Sequence, residues 1–275
     1  MSWPVIARKD FEDAVRSKVF WAIVGFYTAM IALTVFVPTL LPDSNADVSM
    51  GLGAAAEFAG ILVPITALVA AYLAIAGERE SGSLKVMLGL PPSRLDVVLG
   101  KLVGRSGVVV AGVLVGFAVA GVVAVPVYGS LPVVTFVSVT LLTALLGLAY
   151  VAIAIGISAA TATRARAMAS AVGLYVLTVV LWDLVPYAVH FAVYGRPPGM
   201  QVPGWYFLLS NLTPSGAYSH LVSVVMNDGT TQLAARVAGD VPVYLEGWFT
   251  LGILLGWTVV PIALGYLHFR GVDLS

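Results

Sequence analysis

The sequence predicts an all-α integral membrane protein, and three observations carry that prediction. Hydrophobic residues make up 60% of the chain and charged residues 10%, with a mean hydropathy of +0.98. A chain this apolar cannot hide its surface in one water-soluble core. Six separate stretches reach the roughly 20 apolar residues that a membrane-spanning helix needs. Finally, Lys and Arg gather on alternate connections between those stretches, the asymmetry that orients helices in a bilayer.

The first element precedes any span. Trp3, Ala7, Phe11, Ala14 and Val15 recur at helical spacing, while Arg8, Lys9, Glu12, Asp13 and Arg16 turn elsewhere. Residues 1–18 therefore read as an amphipathic helix lying on the inner leaflet, with basic residues near anionic headgroups, or simply as an anchoring flank. The first span, Val19 to Leu41, follows Arg16 and Lys18 much as a signal peptide follows its basic segment. Its apolar run exceeds the roughly 7–15 residues of a cleaved signal, so it reads as a retained anchor.

The second span runs from Phe58 to Ala76 and the third from Ser106 to Tyr128, and between them residues 77–105 form the most charged connection in the chain. Leu84, Met87 and Leu88 sit at i, i+3 and i+4, one apolar face on a helix too short to span anything. Gly89 and Pro91-Pro92 stop it. Ser93 with Asp96 then forms a capping box, and Leu95, Val98, Leu99 and Leu102 make a second amphipathic stripe leading into the third span. Two readings stay open for the short helix: a knob for the groove of a soluble partner, its register set by Glu78, Arg79, Glu80, Lys85 and Arg94, or an ordinary loop folded onto the membrane surface.

The fourth span, Val133 to Ala160, is longer than a crossing requires and is expected to tilt or project. The fifth runs from Met168 to Phe191 and the sixth from Trp248 to Phe269. Pro64 and Pro261 are expected to kink their spans. Arg8, Lys9, Arg16, Lys18, Arg79, Lys85, Arg94, Lys101, Arg105, Arg164, Arg166 and Arg270 fall on one side, against Arg196 and Arg236 on the other. This puts both termini and the 77–105 loop in the cytoplasm of a multi-pass protein of the cell membrane. The opposite side collects Asp43, Asp47, Asp228, Asp240 and Glu246, and it holds a long outer loop, residues 192–247. Trp21, Trp182, Trp205, Tyr244, Trp248 and Tyr266 fall near the expected interfaces, as an aromatic belt would.

Several function classes drop out. A net charge of zero and the lack of cysteine argue against a nucleic-acid partner, disulfides, thiolate metal sites and Cys nucleophiles. The three histidines, His190, His220 and His268, show no hydrolase pattern, and no pair of His190, Met200, His220 and Met226 shares a helical turn, so no metal site is expected. Buried charge is scarce, which argues against an ion-coupled carrier; Glu57 and Asp183 lie near span ends and read as interfacial. Gly112, Gly116 and Gly121 on the third span and Gly147 and Gly156 on the fourth read as close-packing positions.

The run PITALVAAYLAIAGERESGSLKVMLGLPPSRLDVVLGKLVG, Pro64 to Gly104, resembles the signature of ABC-2 type transporter permeases, particularly the branch containing the nitrous-oxide-reductase maturation permease. Pro64, Glu78-Arg79-Glu80, Gly82-Ser83-Leu84, Leu88, Pro91, Arg94 and Gly100-Lys101 match in order. Ser83 stands for the family's Thr, Lys85 for its acidic residue and Met87 for the first Leu of its pair. Residues Ala7 to Trp21 are similar to the family's N-terminal elbow helix, and Leu209 to Ala217 resembles its Asn-Pro motif, with Leu212 and Thr213 inserted between Asn211 and Pro214.

The resemblance implies six membrane helices, an elbow helix with Arg8, Phe11 and Val15, and pairing with a second permease copy or homologue. It also implies a coupling helix at Leu84 to Leu88, gripped by a cytosolic ABC ATPase subunit. The expected coupling residues are Glu78, Arg79, Glu80, Gly82, Leu84, Met87, Leu88, Pro91, Arg94, Gly100 and Lys101. No G-x-x-x-x-G-K-[ST] motif occurs, so the chain is not itself expected to be an enzyme or to hold a cofactor, and ATP and Mg would be bound by the partner ATPase. Export is implied because most of the family exports; a non-transporting membrane anchor or sensor for a cytosolic partner is the alternative.

Overall fold

The computed structural model describes residues 2–40, 47–83, 93–227 and 229–271. Among these the chain is all-helical. In order it forms α1 (Trp3–Val15), α2 (Lys18–Phe36), α3 (Val48–Ala71), α4 (Ala76–Glu80), α5 (Arg94–Tyr128), α6 (Val133–Ala160) and α7 (Arg164–Tyr175). A π-helical segment, Val176–Leu181, joins α7 to α8 (Leu184–Tyr194). There follow α9 (Gly204–Ser210), α10 (Pro214–Asn227), α11 (Gly229–Arg236) and α12 (Gly247–Arg270).

Helix α6 is the axis of the bundle. It packs against α12, α3, α5 and α10, and Leu146, Ala149, Tyr150, Val151 and Ile155 along it are fully buried. Its closest approach is to α12, where a Cβ on Gly156 would lie 2.4 Å from the Pro261 carbonyl oxygen and one on Gly265 would lie 2.5 Å from that of Gly156. Glycine lets the two backbones touch, the small-residue packing expected where lipid supplies no hydrophobic drive. Large apolar side chains elsewhere on α2, α3, α5, α7, α8 and α12 point outward, as a lipid-exposed surface requires.

Among the described residues, five helical runs are long and apolar enough to cross a membrane: 48–80, 94–128, 133–160, 164–181 and 247–270. The first expected span, Val19 to Leu41, overlaps α2 (Lys18–Phe36), which is not one of these five, so length and composition support five spans among the described residues where the sequence predicted six. The fourth expected span matches α6 to the residue.

Two spans read as continuous runs are interrupted. The second begins ten residues earlier than expected, at Val48, and breaks at Tyr72–Ile75. The backbone amides freed by the break, Ile75 N and Ala76 N, both donate to the buried Ser158 Oγ at 2.9 Å. Irregular backbone at membrane depth survives only with such a partner. The fifth run divides at Trp182-Asp183, where Pro186 has no N–H to offer the Trp182 carbonyl. That carbonyl instead accepts from Val185 N at 2.9 Å.

The segment following α8 folds back into the bundle. Tyr218 on α10 is buried, its hydroxyl 2.9 Å from Thr143 Oγ1 on α6 and donating to Ala56 O on α3 at 3.0 Å. Tyr150 on α6 meets Thr178 and Ser215 at 3.0 and 2.9 Å. Trp182 and Trp257 donate their indole N–H groups to Leu209 O and Leu212 O, each at 2.8 Å. Trp182, expected in an interfacial belt, thus serves as a tie between elements. Gly216 is obligatory here, because a Cβ would fall 1.9 Å from Ser210 O.

Replacing Ser158 by Ala leaves two buried amides without an acceptor. The expected outcome is a loss of about 1–3 kcal/mol, read as a lower thermal midpoint in detergent, with Ser158→Thr retaining more of the stability than Ser158→Ala.

Candidate functional site

The site grows from the way α1 lies on the first turns of α5. A Cβ on Gly100 would stand 2.6 Å from Ile6 Cβ and 2.9 Å from Trp3 O, and one on Gly104 would stand 2.8 Å from Ala7 O. These glycines cut a groove into which α1 drops with Ile6, Ala7, Asp10 and Ala14 facing inward. The apolar stripe expected along α1 therefore divides. Ala7 and Ala14 pack on protein, Trp3 and Phe11 remain exposed, and an acid, Asp10, occupies the buried face.

Asp10 is 8% exposed, and two cations on α5 meet it. Its Oδ2 lies 2.6 Å from Arg105 Nε and its Oδ1 lies 3.5 Å from Lys101 Nζ. Arg105 Nη2 also donates to Oδ1 at 3.1 Å, and its Nη1 donates to Ala70 O on α3 at 2.9 Å. Lys101, 3% exposed, donates at 2.7 Å to Glu78 Oε1 on α4. Two acids and two bases from three helices form one neutral cluster. Burying such charges is tolerated only when each finds its counter-charge.

The rest of the Glu78-Arg79-Glu80 motif is equally engaged. Arg79 Nη1 donates to Thr161 O at 3.4 Å, at the C-terminal end of α6. Glu80 Oε2 accepts the amide of Arg164, the first residue of α7. Negative charge there also complements the helix N-terminus. Each residue of the motif ties α4 to a different helix. Past α4, Ser81 and Ser83 donate to Glu78 O, and Gly82 turns the chain with φ +77°.

The far end of the loop is held as firmly. Ser93 and Asp96 form the expected capping box, and Asp96 Oδ1 also accepts from Trp3 N at 3.2 Å, pinning the start of α1. Arg94 Nη1 donates to Phe269 O at 2.5 Å and Arg270 O at 3.1 Å, and its guanidinium lies 5.4 Å from the centre of the Phe269 ring. It caps the last turn of α12.

The sequence-derived coupling residues thus separate into two groups. Glu78, Arg79, Glu80, Gly82, Arg94, Gly100 and Lys101 build the frame around the loop, most of them turned toward the chain itself. Leu84, Met87, Leu88 and Pro91 lie outside the described residues. On α1, Arg8 pairs with Glu12 at 2.8 Å on the exposed side, Phe11 lies against Gly107, and the Val15 carbonyl accepts from Trp21 Nε1 at 2.8 Å. Asp10, Arg105 and Ser158 were not anticipated. The available signal for Asp10 was its place between Ala7 and Ala14 on the apolar face.

At the opposite end of the bundle, His190 is buried against Tyr194, with ring centres 4.7 Å apart. His220 Nδ1 lies 3.1 Å from Asn211 Nδ2, and burial lowers its pKa below the ordinary histidine value. No three His, Asp or Glu side chains come together as a metal-binding group among the described residues.

A family model for ABC-2 family transporter proteins matches residues 4–274. The chain is similar to the probable ABC transporter permease protein NosY of Stutzerimonas stutzeri, 28% identical over 273 residues covering 96% of each chain. It is 27% identical over 277 residues to the probable ABC transporter permease protein NosY of Pseudomonas aeruginosa, again with 96% of each chain covered.

Removing one member of the buried cluster strands its partners. Lys101→Met is expected to destabilise the protein by about 3–5 kcal/mol, and adding Glu78→Gln, which restores neutrality and leaves the Asp10–Arg105 pair intact, should recover part of that loss. Thermal unfolding of the single and combined variants checks the coupling.

Proposed function

The chain belongs to the ABC-2 transporter family as a membrane permease subunit of an ABC transporter, and on that premise we propose that the loop between α4 and α5 is its drive point. In this reading two permease subunits of six spans each, identical or homologous, form the translocation path. Both termini and the loop face the cytoplasm, and two separate ATPase subunits, which bind ATP and Mg, grip the helix at Leu84 to Leu88. The cargo moves outward.

The observation that carries the reading is the clamped frame. A push on the loop enters through α4, where Glu78, Arg79 and Glu80 are bonded to α5, the end of α6 and the start of α7. It leaves through α5, where Arg94 is bonded to the end of α12. Displacement of one short segment is therefore delivered to most of the bundle at once. A loop serving only as a connector has no need of bonds to that many helix ends. The basic character of this end supports its cytoplasmic placement.

The test is association of the purified permease with its cognate ATPase subunit. Leu84→Asp or Leu88→Asp is expected to weaken binding by about tenfold or more, since a buried apolar anchor at an interface contributes about 2 kcal/mol or more, and to abolish stimulation of ATP turnover. Unchanged association would overturn the coupling assignment. Binding that is independent of nucleotide and without effect on turnover would favour an anchor or sensor.

A further inference from the structure

Opposite the clamped end lies a cavity of about 740 Å³ between α3, the π-helical segment with its following turn, and helices α9 to α11. Its lining differs in character from the rest of the bundle. Glu57 on α3 and Asp183 in the turn of the broken fifth run both face it, and so do Ser219, Ser223, Tyr206 and Phe207. Glu57 stands nine residues inside the start of α3, about 14 Å along the helix axis, and so is not confined to the helix end. A second cavity of about 630 Å³ shares Glu57, Ser219 and Ser223 with the first and adds Asp47.

Neither Glu57 nor Asp183 has an ion-pair or hydrogen-bond partner among the described residues, unlike the paired acids at the other end. Both carboxylates are exposed, and Glu57 lies within the run 48–80, where an ionisable group is expensive and generally faces a route for polar species. Among the described lining residues the cation is Arg236, and it makes no ion pair with either acid. Its guanidinium rests 5.5 Å from the centre of the Phe207 ring, the geometry of a cation–π contact. The protein's own organic cation thus rests on the aromatic wall of a cavity lined by two carboxylates that have no ion-pair partner among the described residues.

The geometry points to a binding site for an organic cation with N–H donors, an amine or polyamine, recognised by Glu57 and Asp183 and by the aromatic faces beside them. Carboxylates and hydroxyls accept the ammonium hydrogens, and the rings of Tyr206 and Phe207 supply faces for the charge. A bare metal ion fits less well, because no three His, Asp or Glu side chains gather among the described residues. Arg236 occupies part of the same charge field and competes with the ligand. As a cargo site the cavity rests on the permease reading; as a binding site it does not.

The experiment therefore uses the permease alone, in phosphatidylcholine nanodiscs, titrated with spermidine at low salt in a calorimeter. Saturable binding is expected, weakened by about tenfold in the Glu57→Gln/Asp183→Asn double variant and tightened in Arg236→Gln, with succinate failing to bind. The opposite sign of the Arg236 effect separates recognition from misfolding. Absence of saturable spermidine binding, equal binding by the double variant, or equal binding of succinate would overturn the assignment. None of these outcomes bears on association with an ATPase subunit.

Discussion

An aspartate on the inner face of the first helix fixes how one whole end of the bundle is joined. Asp10 lies between α1 and α5, removed from bulk solvent, and it is tolerable there only because Arg105 and Lys101 reach it. Lys101 then has a second acid to satisfy, Glu78, and that bond brings α4 into the cluster. Gly100 and Gly104 are part of the same constraint, since any side chain on either would lift α1 away from α5 and pull the charges apart. A sequence-distant N-terminal helix, a loop entrance and the base of a long helix are thereby locked to one another by four side chains.

The same requirement, that polar groups away from water be matched, governs the breaks in the helices. The interruption at Tyr72–Ile75 is possible because Ser158 accepts two amides, and the short elements at the opposite end are tied in by two indoles bonded to the Leu209 and Leu212 carbonyls and by Tyr218, whose hydroxyl bonds to Thr143 and to Ala56 O on α3. Those breaks have consequences at both ends. Below the first, α4 is placed so that three consecutive charged residues address three different helices. Around the second, the broken fifth run borders a polar cavity lined by two carboxylates that have no ion-pair partner among the described residues.

Much of the architecture was readable from residue order alone. Hydropathy found α6 to the residue, because a long uninterrupted apolar run with no proline needs nothing from its neighbours to define it. The Ser93–Asp96 box was legible because a helix start is a local event. The interruptions were hidden: an apolar run looks the same whether it continues or breaks, and what permits the break is a serine 83 residues further along the chain. Resemblance drew attention to Glu78-Arg79-Glu80 and Gly100-Lys101, yet their inward bonding depends on partners, Asp10, Thr161 and Arg164, that no local pattern joins to them. Asp10 itself was concealed by expecting a surface helix to keep its acids in water.

With the buried charges joining them, α1 and the entrance to the loop are expected to move as one body. The chain has no cysteine, so Asp13→Cys on α1 and Ser83→Cys beyond α4, both at exposed positions, place one spin-label pair within each labelled permease subunit, and dilution with unlabelled permease isolates the distance within one subunit. Pulsed dipolar spectroscopy on the permease with the proposed ATPase subunit, with and without ATP, measures their separation directly. A narrow distance distribution that stays the same in both states, and that broadens when Lys101 is replaced by Met, is the predicted result. A distribution that shifts or broadens on ATP binding in the otherwise unaltered protein would contradict the account.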